Sequence, residues 1–564
     1  MTKWTCLLAL LVLAAPACGR IRYRPGEAGA PDADTSEFDA DVPSDVRISP
    51  DAFTAGLDAD SPADAFVLPD AFAPADTFVL PDAFAPPDAF VLDAPPVNEC
   101  LVANGGCSMR ATCADLPLGR SCTCNAPYVG DGLSCSLPTT PLEVPVRGQT
   151  SYAGATFGWD FALSRDGNTL VVHAVGNGAL LEGLYIIAHL YRRDVDGWRF
   201  ISTIRTVGNG GLPNYALSGD GTLVAMGVGS NVSVEGEVRL YRFNGVSSWV
   251  SAGTVRAPSG QAGDYFGSTV ALNDAGNVLV AGAFGEDSSG SGVNPPVDEG
   301  AADSGAAYVF RDTGVWSLEA RLKASRATAS DEFGFAVAIN GTGDVVAASA
   351  HYERSSALLV NGTDDNVGAT VTGAAYVFRR VGSAWAEEAY VKASSAESVQ
   401  FGHAIALDAA GQTLAVTAPL TGPFLMSGRV YVYSFSAGWS FAAELVTPNP
   451  SDQQFGGSVA MSSNGSRILV GALRESSGSA AAFDSAMPQS GAAYRFDRSG
   501  AEWRFTSFLK SPRPEMGAGF GYRGAITDAG EAFVSAPRED GSSTGVGGAP
   551  GPGNDGSGAL YIFR

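Results

Sequence analysis

Along the C-terminal three quarters of the chain, hydrophobic and polar positions follow one pattern that recurs at a spacing of roughly 50 to 70 residues. Each copy begins with Phe-Gly, at Phe157-Gly158, Phe266-Gly267, Phe333-Gly334, Phe401-Gly402, Phe455-Gly456 and Phe520-Gly521. A worn seventh copy lies at Asn214–Leu217. A short apolar strand follows, such as Val270-Ala271-Leu272 or Val337-Ala338-Ile339, and then a turn rich in Asp, Asn and Gly. Such turns suit hairpins because Gly and Asn reach positive φ at little cost. The second run, for example Leu279-Val280-Ala281 or Ile468-Leu469-Val470, is unbroken and apolar, as expected of a strand buried on both faces. The third alternates, as in Ala307-Tyr308-Val309-Phe310 and Val430-Tyr431-Val432-Tyr433, which predicts a strand nearer the outside. A Trp opens the fourth, at Trp198, Trp249, Trp316, Trp385, Trp439 and Trp503. Six of the eight tryptophans thus share one position, where a large ring can fill the space between neighbouring sheets.

Repeats of this length build propeller blades or solenoid units. Seven copies have only six Trp-led fourth strands, and Arg564 stands just after a third strand. Leu142-Glu143-Val144-Pro145-Val146, ahead of the first copy, is therefore predicted to complete the last sheet and close the ring. Pro145 fits an outermost strand, where a missing N–H is tolerated. Phe-Gly-x-x-Val-Ala followed by Val-Ala-Gly-Ala, as in Phe266–Leu272 and Val280–Ala283, resembles the FG-GAP repeat of integrin α-chain propellers. Loops such as Gly285-Glu286-Asp287-Ser288-Ser289 resemble those of bacterial FG-GAP proteins. The resemblance covers nearly all of residues 138–564 and implies an all-β, seven-bladed propeller used mostly for binding. Many family members also carry an Asp-x-Asp-x-Asp-Gly calcium loop. The equivalent turns here, such as Ser164-Arg165-Asp166-Gly167 and Asp408-Ala409-Ala410-Gly411, lack the oxygen ligands calcium requires, so those sites are not expected.

The N-terminal part is a different kind of chain. Residues 1–18 read as an export signal, with Lys3 as the positive start, Leu7–Ala15 as the apolar stretch and Ala15-Pro16-Ala17 as the cleavage zone. Small residues ending at Cys18 resemble a bacterial lipoprotein signal. That implies acylation of Cys18 and an outer-membrane or cell-surface anchor; ordinary secretory cleavage is the alternative. Residues 19–96 are rich in Pro, Ala and Asp, and the unit Asp64-Ala65-Phe66-Val67-Leu68-Pro69 recurs from Asp76 and again from Asp88. Proline and like charges predict an extended, disordered acidic stalk, with docking of the Asp-Ala-Phe units to a partner as the alternative.

Residues 97–137 hold Cys100, Cys107, Cys113, Cys122, Cys124 and Cys135. In an exported chain this density reads as a disulfide framework. With Cys122-Thr123-Cys124 at its centre and Tyr128–Gly132 before the last cysteine, the segment resembles an EGF-like module. The resemblance implies the pairs Cys100–Cys113, Cys107–Cys122 and Cys124–Cys135. Zinc is disfavoured by six rather than four cysteines and by the lack of a nearby histidine. Some EGF modules bind calcium at positions matched here by Asn98, Glu99 and Asp115, although Pro96 and Arg120 depart from that pattern. A calcium site at this module and a calcium-free spacer are the two expectations.

The formal net charge of −24 argues against nucleic acid, whose phosphates need Lys and Arg, and against docking on anionic lipid. His173, His189, His351 and His403 occupy unrelated repeat positions and read as structural. Gly541-Ser542-Ser543-Thr544-Gly545 spells a nucleophile elbow by letter, but a Gly/Pro loop follows it instead of a helix. No enzyme is expected; an active site at the propeller axis and a structural envelope role are the rivals. The better candidates are long connections between second and third strands. They carry Glu286, Asp287, Asp298, Glu299 and Asp303; Glu353, Asp364 and Asp365; Glu475 and Asp484; Glu539, Asp540 and Asp555. Equivalent connections project from one face, which is expected to be an acidic platform for a ligand or cation, or a set of solvated insertions. The expected function is adhesion to, or recognition of, a protein, glycan or matrix ligand.

Overall fold

The computed structural model describes residue 100 and residues 103–564, apart from 117–118, 127, 139–141, 150–153, 176–184, 208–212, 230–233, 364–370, 422–426, 450–453, 482, 549–552 and 554–555. The export signal, Cys18, the stalk, Asn98 and Glu99 therefore lie outside the described residues. Seven antiparallel sheets follow one another, each with its first strand innermost. Blade 3 is typical: Val270–Leu272, Val278–Ala283, Ala306–Asp312 and Trp316–Lys323, in that order outward. The worn copy forms blade 2, from Asn214–Leu217 to Trp249–Val255. Every third–fourth strand pairing contains a register shift at the same point, a β-bulge that adds to the local twist of each blade.

The ring closes as the strand count predicts. Leu142–Arg147 lies antiparallel to Ala559–Phe563 as the fourth strand of blade 7, with Val146 opposite Leu560 and Pro145 opposite Tyr561. It is not outermost, because Gly545–Val546 pairs with Val146 and Arg147 on its far side. Pro145 still donates nothing there; its carbonyl accepts from Gly547 N at 2.8 Å.

No single core exists. Apolar side chains form a separate cluster at each blade interface, seven in all, and the blade 7–blade 1 cluster contains Val146, Phe157, Trp198 and Phe533. The repeated Trp packs toward the preceding blade. Trp198 meets Phe533 edge-on at 5.7 Å, and Trp439 Nε1 donates to Glu388 at 2.9 Å. At the lower end of the axis, backbone bonds link successive turns: Asp166 N to Gly219 O, Gly219 N to Asp274 O, Asp274 N to Gly341 O, Gly341 N to Ala409 O and Ala409 N to Ser463 O.

The Phe-Gly pair is the inter-blade lock. It forms the middle of a tight turn in which, for example, Phe335 N donates to Glu332 O at 3.2 Å. Gly334 has φ +89°, which an L side chain rarely adopts, and a Cβ there would lie 2.2 Å from Ala306 O of the blade before. Reciprocally, Gly305 of that preceding blade has φ +81°, and its Cβ would lie 2.0 Å from Phe333 O. Phe333 N donates to Ser304 O at 3.0 Å, and the same bond recurs at Phe401, Phe520 and, across the seam, Phe157.

The cysteines pair as the EGF resemblance implies: Cys100–Cys113, Cys107–Cys122 and Cys124–Cys135. The module consists of a short 3-10 turn, Ala103–Gly106, the hairpin Ala111–Leu116 with Gly119–Cys124, and the small hairpin Val129–Gly130 with Cys135–Ser136. It packs on blade 6. Tyr128 meets Phe483 edge-on, Leu137 is buried in the blade 5–blade 6 core, and Phe508 N donates to Pro138 O at 2.8 Å. Among the described residues no helix is long and apolar enough to cross a membrane.

The lock predicts that Gly334→Ala will cost several kcal/mol, through both clash and left-handed strain, roughly 3 kcal/mol or more. Gly382→Ala, also at positive φ but with open space around its Cβ, should cost only about 1 kcal/mol. Chemical denaturation midpoints of the two variants check this.

Candidate functional site at the axial mouth

The Phe-Gly turns, the ends of the fourth strands and the long second-to-third connections all lie on one face, here the upper face, as strand order requires. The connections 284–305, 351–373, 473–491 and 537–558 are at least nearly twice as long as 176–184, 229–236 and 419–428. They fold outward. Gly292–Val293 pairs with Leu322 and Lys323, Val360 bridges Val391, and Gly545–Val546 pairs with the closing strand. In blade 6 the EGF tail at Leu137–Pro138 lies along that outer edge instead.

The expectation of an acidic platform fails for four of the five glutamates, all but the exposed Glu299. Glu286, Glu353, Glu475 and Glu539 each stand three residues beyond the last Ala of a second strand, and all are buried. Each is paired with a cation at the end of its blade's fourth strand. Lys323 Nζ lies 2.6 Å from Glu286, Lys392 Nζ 2.5 Å from Glu353 and Lys510 Nζ 2.7 Å from Glu475, and Arg147 pairs with Glu539. Each lysine also donates to a Ser or Thr just ahead of the third strand, Ser304, Thr372 or Ser490, at 2.7 Å. Burial lowers the Lys323 and Lys392 pKa values, opposed by their glutamates. The pairs are struts that fix the roots of the long connections. A glutamate in this setting has its lone pairs satisfied and cannot serve a ligand.

The aspartates of these loops cap backbone. Asp287 Oδ1 accepts from Asp303 N at 2.7 Å, and Asp540 Oδ1 accepts from Gly556 N at 2.7 Å. Asp303 is half-buried, and its carbonyl accepts from Glu332 N. Asp298 caps Ser289 and Gly300, Asp484 caps Gly478 and Ala486, and Glu299 accepts from Gln261. Asp364, Asp365 and Asp555 lie outside the described residues. Asp115 is exposed on the EGF hairpin opposite Arg120. Among the described residues no three His, Cys, Asp or Glu side chains gather as a metal site.

What the upper face does bring together is a series of rings around the axis. Tyr265 stacks on Phe284 at 4.6 Å, Phe284 meets Phe335 at 6.0 Å, and Phe335 lies 3.7 Å from His351 and 5.8 Å from His403. On the other side Trp159 meets Tyr522 at 4.8 Å, with Arg538 over Trp159 and Arg523 over Tyr522. Trp159, Phe335, His403 and Tyr522 occupy the same register, two residues beyond the Phe of each lock. Arg523 donates to the buried Asp160 at 3.0 Å. Burial holds His351 well below its usual pKa and His403 at about 4, so both are neutral rings at neutral pH.

The residue before five of the six lock Phe is equally telling; before the sixth, Phe520, stands Gly519 at φ 68°. Thr156, Tyr265, Glu332, Gln400 and Gln454 all have φ between 47° and 61°, although none is glycine. Glu332 lies 3.8 Å from His351 Nε2. The signal in the sequence was the variable letter on either side of an otherwise fixed Phe-Gly.

Two aspartates beneath this rim are pushed up by burial to about 6, Asp264 and Asp331. Asp264 has the carboxylates of Glu286, Asp287 and Glu299 around it, and Asp331 faces Glu353 and Arg354.

The EGF domain model matches residues 100–135, and the FG-GAP repeat model matches residues 316–378. No curated protein matches the chain. Among solved structures, a periplasmic gluconolactonase of Pseudomonas aeruginosa is 16% identical with TM-score 0.42, over 70% of this chain and 93% of its own. The hydrazine synthase of Kuenenia stuttgartiensis is 14% identical with TM-score 0.40, over 68% and 93%. The WD40 repeats of RRP9 are 11% identical with TM-score 0.40, over 76% and 99%. At this distance none of them speaks to what this chain binds or does.

Two outcomes follow. Lys510→Met strands the buried Glu475 carboxylate and should cost roughly 3–5 kcal/mol in urea unfolding; adding Glu475→Leu should restore most of it. For pH, the folded protein keeps protons on Asp264 and Asp331 that the unfolded chain releases near 3.8, so their contribution to stability is lost as pH rises from about 4 to 6. The four histidines act in the opposite sense: their folded pKa values are lowered, and stability is lost as pH falls below 6.5. Stability curves of the parent minus those of the Asp264→Asn, Asp331→Asn variant should fall between pH 4 and 6 and be flat on either side.

Proposed function

Because this chain is a seven-bladed propeller of FG-GAP repeats joined to an EGF-like module, we propose that it is an exported recognition protein whose ligand binds at the upper axial mouth. The observation that carries this reading is the set of left-handed residues before the locks. Holding Thr156, Tyr265, Glu332, Gln400 and Gln454 at positive φ costs on the order of 1 kcal/mol each. The cost recurs at one register while the side chain there changes from blade to blade. A fixed frame carrying varied side chains beside an aromatic arc has the character of a binding surface.

The reading is of a binder and not an enzyme. A general base works best with a pKa near the working pH; burial holds His403 at about 4, and Asp264 and Asp331, at about 6, accept hydrogen bonds from Gln261 and Thr328. Asp160 is committed to Arg523. Three disulfides in a small module accord with an oxidising compartment, and the leader and Cys18 accord with export and a lipid anchor.

Glycan and protein arrays probed with the full chain test the proposal. Trp159→Ala should weaken the captured ligand by at least about tenfold, or about 1.4 kcal/mol, with the melting temperature little changed. Binding indifferent to Trp159, Tyr522 and Gln400 would remove the mouth from consideration.

A further inference from the structure

In a chain of net charge −24, the upper axial mouth holds a positive charge that the fold leaves unanswered. Two guanidinium groups, Arg523 and Arg538, flank the ring pair Trp159–Tyr522 where blades 7 and 1 meet. Both come from blade 7: Arg523 stands three residues beyond the lock Phe520, and Arg538 two residues beyond the second strand, Ala532–Ala536. One carboxylate, the buried Asp160, answers them. It accepts from Arg523 Nε at 3.0 Å and from Tyr215 N at 2.8 Å.

The rest of Arg523 is open. Its side chain keeps 42% of its surface accessible, and among the described residues its Nη groups meet no acceptor. Arg538 is exposed, and among the described residues it has no carboxylate partner. The carboxylates beside it have partners of their own: Glu539 pairs with Arg147, Glu515 with Arg513, and Asp540 accepts from Gly556 N. The Arg538 contact over Trp159, at 5.9 Å, stands at the outer limit of a cation–π interaction and leaves the guanidinium N–H groups uncommitted. These charges reach across the mouth. Burial raises the pKa of Tyr522; Arg523 opposes the rise, Asp160 adds to it and Arg538 opposes it. On blade 5, Arg523 adds to the burial that holds His403 down.

A guanidinium has donors only, set in a flat fork, so what meets it must accept, and a planar oxyanion held by two parallel bonds fits best. Two cations against one carboxylate leave a single excess charge, which suits a monoanion. Trp159 and Tyr522, both half-buried, give the body of such a ligand an apolar wall. We infer that this side of the mouth binds a small organic monoanion, a carboxylate carried on a ring, with its oxygens on Arg538 and the Nη groups of Arg523 and its ring against Trp159 and Tyr522. The inference rests on the mouth being the binding site, and it adds the class of ligand. An acidic monosaccharide and an aromatic acid both present this chemistry; neutral sugars and cations do not.

The test titrates the full chain by ligand-observed NMR with two matched pairs, glucuronate against glucose and benzoate against benzamide, and with acetate as an anion that lacks a ring. At least one acid should bind about tenfold tighter, or more, than both its neutral partner and acetate. The pair that shows the preference tells an acidic sugar from an aromatic acid. Arg538→Gln, at an exposed position, should remove the preference with the melting temperature unchanged. Arg538→Lys keeps the charge, loses the fork and should restore only part of it. Arg504→Gln, which removes an exposed guanidinium from the fourth strand of blade 6, should leave it intact. Neutral partners or acetate binding as well as the acids, or a preference that survives Arg538→Gln, overturns the inference. So does the absence of saturable binding by either acid. In each of these cases, a captured ligand that still depends on Trp159 keeps the mouth as a site, and binding indifferent to Trp159 removes the mouth as well.

Discussion

The structure depends on the meeting of two glycines across every lock. Gly334 approaches Ala306 O, and Gly305 approaches Phe333 O, at distances that leave no room for a Cβ. The backbones of adjacent blades thereby come close enough for Phe333 N to reach Ser304 O, and the Phe ring drops into the core between them. Seven small cores, six of them bridged by such a lock, replace one large core. Gly491 against Phe520 and Gly558 against Phe157 repeat the contact, the second of them across the seam where the chain's two ends meet.

On this frame the upper face is built in layers. Struts fix the roots of four connections, and those of blades 3, 4 and 7 then turn outward onto the edges of their own blades. Nothing in this arrangement requires any particular side chain at the rim of the axis. Variation there is free of the fold, which is why Trp159, Phe335, His403 and Tyr522 differ while the Phe-Gly just before each does not.

Much of this was legible in the letters. Seven strand quartets, the shared Trp, the closing strand and the disulfide pairing all follow from spacing or from family resemblance, because each is a local pattern repeated in register. The burial of Glu286, Glu353, Glu475 and Glu539 was not legible, because a glutamate in a polar loop looks solvated until its partner, 35 to 39 residues on or, for Glu539, 392 residues earlier, is brought beside it. The regularity was present all the same, in a Glu three residues past a second strand and a Lys seven past a Trp. The axial mouth was missed for a related reason. Residues from blades that are far apart in sequence meet only when the ring is shut. Pro145 was placed correctly in its sheet but not at its edge, since Gly545–Val546 gives no sign in sequence of reaching it.

The EGF module's attachment has a mechanical side. Its last disulfide at Cys135 is followed within two residues by Leu137, buried in blade 6, and then by the strand that closes blade 7. A pull arriving from the N-terminal side of Cys100 must first cross three covalent bridges. It then meets the Leu137–Pro138 contacts before it can peel the closing strand. A pull from that side is thus absorbed beside the joint that closes the ring, and the module serves as a strain relief, much as a cable is clamped before its plug.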